Sequence, residues 1–266
     1  MLYQINITYM DKNLQIPGLY IIRYQTAPVV PAPYANFQTI KLHLISEDDL
    51  TIDFSVKYID REDMEEDEIL EEGFTMDDDF AWKGALPSNW IKEFDTIYNS
   101  SKIIRQREEK EFEDFVEIEI EENEKRVTVY PVDKERWVYF LQEFMQAILE
   151  TAGRELPFEL TYLDLSAEPS SEVALKASFA NKVFTMSENK GAVKKLDWGF
   201  LQKVMDTVYR AEFIYDNASE SKPTKKGKYI YIGDGLWYQL GVAVVETTAK
   251  SKDLQMIESL FSKLVR

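Results

Sequence analysis

The sequence predicts an α+β protein made of an internally duplicated unit. Each copy is expected to run strand–strand–helix–strand–strand–helix, giving mainly antiparallel sheet covered by helices in a pseudo-two-fold arrangement. Three observations carry this. The stretch MDTVY at 205–209 echoes FDTIY at 94–98. Two more echoes, FTM at 74–76 and 184–186 and KGA at 83–85 and 190–192, follow in the same order at an offset of about 110 residues. Around both sets the apolar spacing switches between period 2 and period 3.6 in the same succession. A period that long exceeds a solenoid repeat and fits a duplicated, domain-sized unit.

Residues 1–35 are expected to hold an N-terminal strand pair and a stiff spacer, APVVPAP at 27–33, whose prolines favour an extended chain. Residues 36–153 form repeat 1. In it LTIDFSVKY at 50–58 alternates Leu50, Ile52, Phe54, Val56 and Tyr58 against polar residues, as a half-buried strand does. FQTIKLHLI at 37–45 reads as its neighbour, and FTM as a short extra strand. LPSNWIKEFDTIY at 86–98 places Trp90, Ile91, Phe94, Ile97 and Tyr98 at helical spacing behind the start signal Pro87-Ser88-Asn89. FVEIEIEENEKRVTVY at 115–130 reads as a hairpin. The closing helix, from 133, has Asp133 as its cap and Trp137, Leu141, Phe144 and Ile148 as its buried stripe.

Residues 154–266 form repeat 2. FELTYLDL and EVALKASF are its first strands, and LDWGFLQKVMDTVY is a helix capped by Asp197. At an offset of 111, Trp90, Phe94, Ile97 and Tyr98 match Leu201, Met205, Val208 and Tyr209. GKYIYIGDGLWYQLGVAVV is the second hairpin, with Asp234-Gly235 a tight turn. Leu254, Ile257, Leu260, Phe261 and Leu264 face the core from the last helix.

Composition narrows the chemistry. The chain has 266 residues, no cysteine and one histidine, which removes thiolate chemistry and most zinc sites. His43, beside Lys41 on the polar face of its strand, reads as an ordinary exposed residue. Neither a signal peptide nor an apolar run long enough to span a bilayer is expected, which points to the cytoplasm. The net charge of −17 is uneven, because residues 36–153 hold 13 basic and 32 acidic residues. That balance disfavours nucleic acid and anionic membranes as partners. No cofactor motif and no metal-ligand spacing is present, and nothing fixes an oligomeric state.

Two candidate sites follow. Residues 61–79 hold eleven acidic side chains that repeat 2 lacks, among them Glu65, Glu66, Asp67, Glu68, Asp77, Asp78 and Asp79. They suit a docking surface for a basic protein partner. Asp95, Tyr98, Asp206 and Tyr209 occupy matching helix positions, so an inter-repeat groove would bring together two carboxylates and two phenols for a small ligand. The expected function is therefore an acidic protein-interaction or ligand-binding module. The alternative is an enzyme using the carboxylate/tyrosine groove for acid–base chemistry.

Overall fold

The computed structural model describes residues 14–107, 111–122 and 125–265. The chain is a mixed α+β protein that divides into two compact units, Met1–Arg154 and Glu155–Arg266.

The first unit contains β1 (Gly18–Gln25), β2 (Asn36–Ser46), β3 (Asp49–Tyr58), α1 (Glu66–Glu71), β4 (Phe80–Leu86), α2 (Asn89–Ser100), β5 (Ile103–Ile104), β6 (Phe115–Glu122), β7 (Lys125–Pro131) and α3 (Lys134–Thr151). Its sheet has the order β4-β3-β2-β1-β6-β7-β5, with every pair antiparallel. Alternation decides which face is buried. Ile40, Leu42 and Leu44 of β2 and Ile52, Phe54 and Val56 of β3 are all buried, while Lys41, His43 and Asp53 look the other way. The helices supply the opposing layer. Trp90 and Phe94 of α2 meet Phe144 and Trp137 of α3 edge-on, at ring separations of 5.1 and 6.2 Å. The buried Trp137 indole N–H donates to Ser101 Oγ at 2.7 Å, so that polar atom enters the core satisfied. Asp133 does precede α3, but it makes no side-chain cap bond. Its carboxylate accepts from the Ser101 hydroxyl and from Arg136 instead.

The second unit contains β8 (Phe158–Asp164), β9 (Ser171–Ser178), β10 (Val183–Glu188), β11 (Lys194–Leu196), α4 (Gly199–Val208), β12 (Glu212–Phe213), β13 (Lys228–Tyr231), β14 (Trp237–Gln239), β15 (Val244–Val245) and α5 (Asp253–Leu264). The main sheet is ordered β11-β10-β9-β8-β13-β14, and β12 pairs with β15 apart from it. α4 and α5 pack together over a core that includes Leu160, Leu175, Phe184, Val204, Ile230 and Phe261. The β13–β14 loop turns through Gly233 and Gly235 at φ of 93° and 90°, a region that residues with a Cβ rarely enter. Asp234 braces that loop by accepting from the Leu236 amide and the Tyr238 hydroxyl.

Several details depart from the sequence reading. The segment before residue 36 supplies β1, which lies between β2 and β6, because its Tyr20, Ile22 and Tyr24 are as buried as any neighbour. Residues that would complete the expected N-terminal strand pair lie outside the described residues, as does the turn of the 115–130 hairpin at 123 and 124. Each unit therefore runs four strands before its main helix, not two. FTM at 74–76 is loop whereas FTM at 184–186 is in β10. KGA at 83–85 is in β4 whereas KGA at 190–192 is a turn. α4 begins at Gly199 after Trp198, so Asp197 does not cap it.

α2 buries Ile91, Phe94, Ile97 and Tyr98 among others, and α4 buries Leu201, Val204, Thr207 and Val208. Tyr98 thus lies on the buried face of its helix, whereas Tyr209 falls one residue past Val208 and is exposed.

Candidate functional site

The acidic stretch between β3 and β4 begins with a turn at Asp60, whose φ is +64°, and a short 3-10 helix at Arg61–Asp63. α1 follows. At six residues it is too short to persist alone, so its shape depends on what it touches. Ile69 is its one buried side chain, with no exposed surface. Glu66, Asp67 and Glu68 fill the first turn, where the helix dipole favours negative charge. Gly73, at φ +81°, ends the helix: its N–H donates to Leu70 O at 3.0 Å, and the Phe74 N–H donates to Ile69 O at 3.1 Å. This pair of bonds is a Schellman cap.

The anchor of the segment is Arg61, only 5% exposed. Its Nη2 and Nε donate to Pro33 O at 2.9 and 3.3 Å. Its Nη1 donates to Thr75 O at 2.5 Å and to Asp78 Oδ2 at 2.7 Å. The guanidinium also lies 3.9 Å from the Tyr58 ring centre and 4.9 Å from that of Phe74. A planar fork with several donors can serve three acceptors while lying against aromatic rings, which an ammonium cannot. Burial opposes ionisation of Asp78, but the Thr75 hydroxyl and amide, with Arg61, outweigh it and hold its pKa below the usual carboxylate value. Next to it, Asp79 accepts from the Tyr58 amide at 2.9 Å, tying the far end of the segment to β3.

Two of the expected docking carboxylates are thus engaged internally: Asp78 and, through one oxygen, Asp79. Glu65, Glu66, Asp67, Glu68 and Asp77 are exposed. The ion pair of this segment among the described residues is Arg61–Asp78. Apolar surface is interspersed with the charge. Leu70 is 50% exposed, Met76 51% and Tyr34 44%. The Tyr34 ring stands edge-on to Phe74 at 5.3 Å, and its hydroxyl donates to Glu72, the contact that chiefly raises its pKa. Sequence reading missed Arg61. The available signal was a single arginine at the head of a run otherwise acidic in charge, three residues after a tyrosine.

The other predicted residues divide between the units. Asp95 is half-buried and accepts from Asn99 Nδ2 at 2.7 Å. Tyr98 is 4% exposed and stacks on Phe94 at 5.7 Å. In the second unit Asp206 is exposed, and Tyr209 is 45% exposed with its ring 6.2 Å from Phe213. Among the described residues no three His, Asp or Glu side chains converge as a metal site, and no helix is long and apolar enough to cross a membrane. No family model matches the chain, and neither a curated protein nor a solved structure does.

Proposed function

We propose that the protein is a binding module whose 61–79 segment receives a cationic protein partner carrying an apolar stripe. Arg61 is the observation that supports this best. An acidic run that serves only solubility needs no fixed shape. Here a buried guanidinium, a buried isoleucine and a helix cap give the run one conformation. Charge of one sign accelerates encounter with an oppositely charged partner, while Leu70, Met76 and Tyr34 offer the apolar contact that slows its departure. A phosphate backbone or an anionic lipid surface has the wrong sign. The absence of cysteine fits a reducing compartment, so the cytoplasm belongs to the same reading.

The duplication forms part of this proposal, with 61–79 an addition to the first copy. Three features support it. Taking β1-β2-β3-β4 as β8-β9-β10-β11 and β6-β7 as β13-β14, the two main sheets have one strand order. The buried faces of α2 and α4 agree at an offset of 110. Buried Trp137, Phe140 and Leu141 of α3 recur as Ile257, Leu260 and Phe261 of α5, with Asp133 and Asp253 four residues ahead in each case.

The test uses a fluorescent, Lys-rich amphipathic peptide helix and an acidic counterpart, at low and high salt. The full chain should bind the basic peptide in a salt-sensitive way. Neutralising Glu65, Glu66, Asp67 and Glu68 to Gln or Asn should slow association. Arg61→Met separates a shaped site from a charge cloud, because it makes the chain more acidic. Tighter or unchanged binding by that variant would overturn the proposal; weaker binding supports it.

A further inference from the structure

We infer that the second unit carries a site for a small primary ammonium compound, in the cleft between α5 and the adjoining ends of β8, β9 and β13. The cleft encloses about 470 Å³ and is lined by Tyr162, Asp164, Ser171, Lys228, Glu258 and Phe261, among others. Strand register assembles one wall, since Asp164 pairs with Ser171 on one side and with Lys228 on the other. The floor is apolar: the Tyr162 and Phe261 rings stack at 4.5 Å, only 6° from parallel.

Two hydroxyls in this cleft have no partner among the described residues. Tyr162 is 6% exposed, yet its hydroxyl has no partner among the described residues. The Ser171 hydroxyl is buried and equally unpartnered. The Ser171 oxygen is withdrawn from water, where polar atoms usually find partners, so together with the Tyr162 hydroxyl at the cleft it marks unfilled binding capacity. The carboxylates are half used. Asp164 Oδ1 accepts from Ser166 N, Ser166 Oγ and Ala167 N, and Glu258 Oε2 accepts from Lys228 Nζ at 2.6 Å. Asp164 Oδ2 and Glu258 Oε1 remain as acceptors.

The ligand chemistry follows from this inventory. Two carboxylates face one ammonium, so the cleft favours a cation. The carboxylate oxygens still free to accept, Asp164 Oδ2 and Glu258 Oε1, suit a cation that brings several donors in a small volume. A primary ammonium brings three, and its alkyl chain suits the aromatic floor. A quaternary ammonium brings none. Burial first, and then the fields of Asp164 and Glu258, raise the pKa of the Tyr162 phenol. The volume lies within the range of ordinary small-molecule sites.

The ¹⁵N-labelled full chain is titrated at neutral pH with n-butylamine, 1,4-diaminobutane, tetramethylammonium and butyrate, and amide shifts are followed. The two amines should give saturable shifts around 162–164 and 258, while tetramethylammonium and butyrate should give none there. Asp164→Asn should weaken amine binding at least about tenfold, as expected for a hydrogen bond to a charged group. Tyr162→Phe should weaken it severalfold. That variant keeps the stacked ring and removes only an unpartnered hydroxyl, so it remains informative if Asp164→Asn disturbs the 164–167 turn. Non-saturable amine shifts in the wild type, equal affinity for butyrate, or amine affinity unchanged by Tyr162→Phe would each overturn the inference. The site is independent of the acidic segment, so variants neutralised at 65–68 should keep their amine affinity.

Discussion

Replacing Arg61 by Met keeps an apolar stem of similar length beside Tyr58 and Phe74 but removes the fork. Lost with it are two bonds to Pro33 O, one to Thr75 O and the ion pair to Asp78. Asp78 retains the Thr75 amide and hydroxyl, at 2.8 and 2.7 Å, so its carboxylate is not stranded. Removing one member of a fully buried pair costs about 3–5 kcal/mol. Here the arginine side chain is 6% exposed and the aspartate 26%, which places the loss near the lower bound, at about 3 kcal/mol. That energy acts on the local opening of 61–79. Amide exchange of Phe74, whose N–H closes the Schellman cap, should accelerate by about 100-fold. Arg61→Lys should fall between, because an ammonium cannot span the three acceptors. Hydrogen exchange read by NMR provides both numbers. An acceleration under about threefold in Arg61→Met would show that the segment holds its shape without the guanidinium, and the anchoring role would be refuted.

The folded-state pKa of Asp78 is below its ordinary 3.8, so its contribution to stability is complete above that value and is lost as pH falls through the depressed one. Exchange of the Thr75 amide should therefore rise in acid at a lower pH than that of an unperturbed carboxylate, and Asp78→Asn should abolish the transition. Phe94→Ala or Phe144→Ala should destabilise the first unit by about 3–5 kcal/mol in urea denaturation, given exposures of 1% and 0%. Tyr98→Ala, at 4% exposure, should resemble them, whereas Tyr209→Ala, at 45%, should cost under about 1 kcal/mol; equal costs would contradict that difference in burial. Gly73→Ala meets no neighbouring atom, so its penalty of about 1 kcal/mol should come only from the left-handed backbone.

What the sequence conveyed was periodicity. The alternation at 50–58 and the helical stripe through Trp137, Leu141, Phe144 and Ile148 translate directly into buried faces, because burial is what creates those patterns. The tripeptide echoes carried no such constraint. FTM and KGA recur in segments of different conformation, and aligning the DT pairs sets buried Phe94 against half-buried Met205. Met205, half-buried at the margin of its face, looked as apolar as the buried Val204 beside it. β1 was set apart because a proline-bearing stretch separates it from β2, although strand neighbours need not be close in sequence. The acidic segment was legible as composition, but its shape was not. Arg61 reaches Pro33, 28 residues away, and Asp78, 17 away, and no local pattern encodes either contact.

The position of that segment has a consequence for how such a chain can change. β3 and β4 are adjacent in their sheet, and 59–79 joins them; β10 and β11 are adjacent in theirs, and 189–193 joins them. Each joint leaves and re-enters across a single ladder, Val56 opposite Phe80 in one and Met186 opposite Lys194 in the other. Lengthening the joint therefore shifts no strand register and moves no core residue. Closing the longer loop costs only about 1.3 kcal/mol more, since the penalty grows with the logarithm of length. A single buried contact of Ile69's kind offsets that. The strand margin thus works as a socket, open to exchange without renegotiating the rest of the fold.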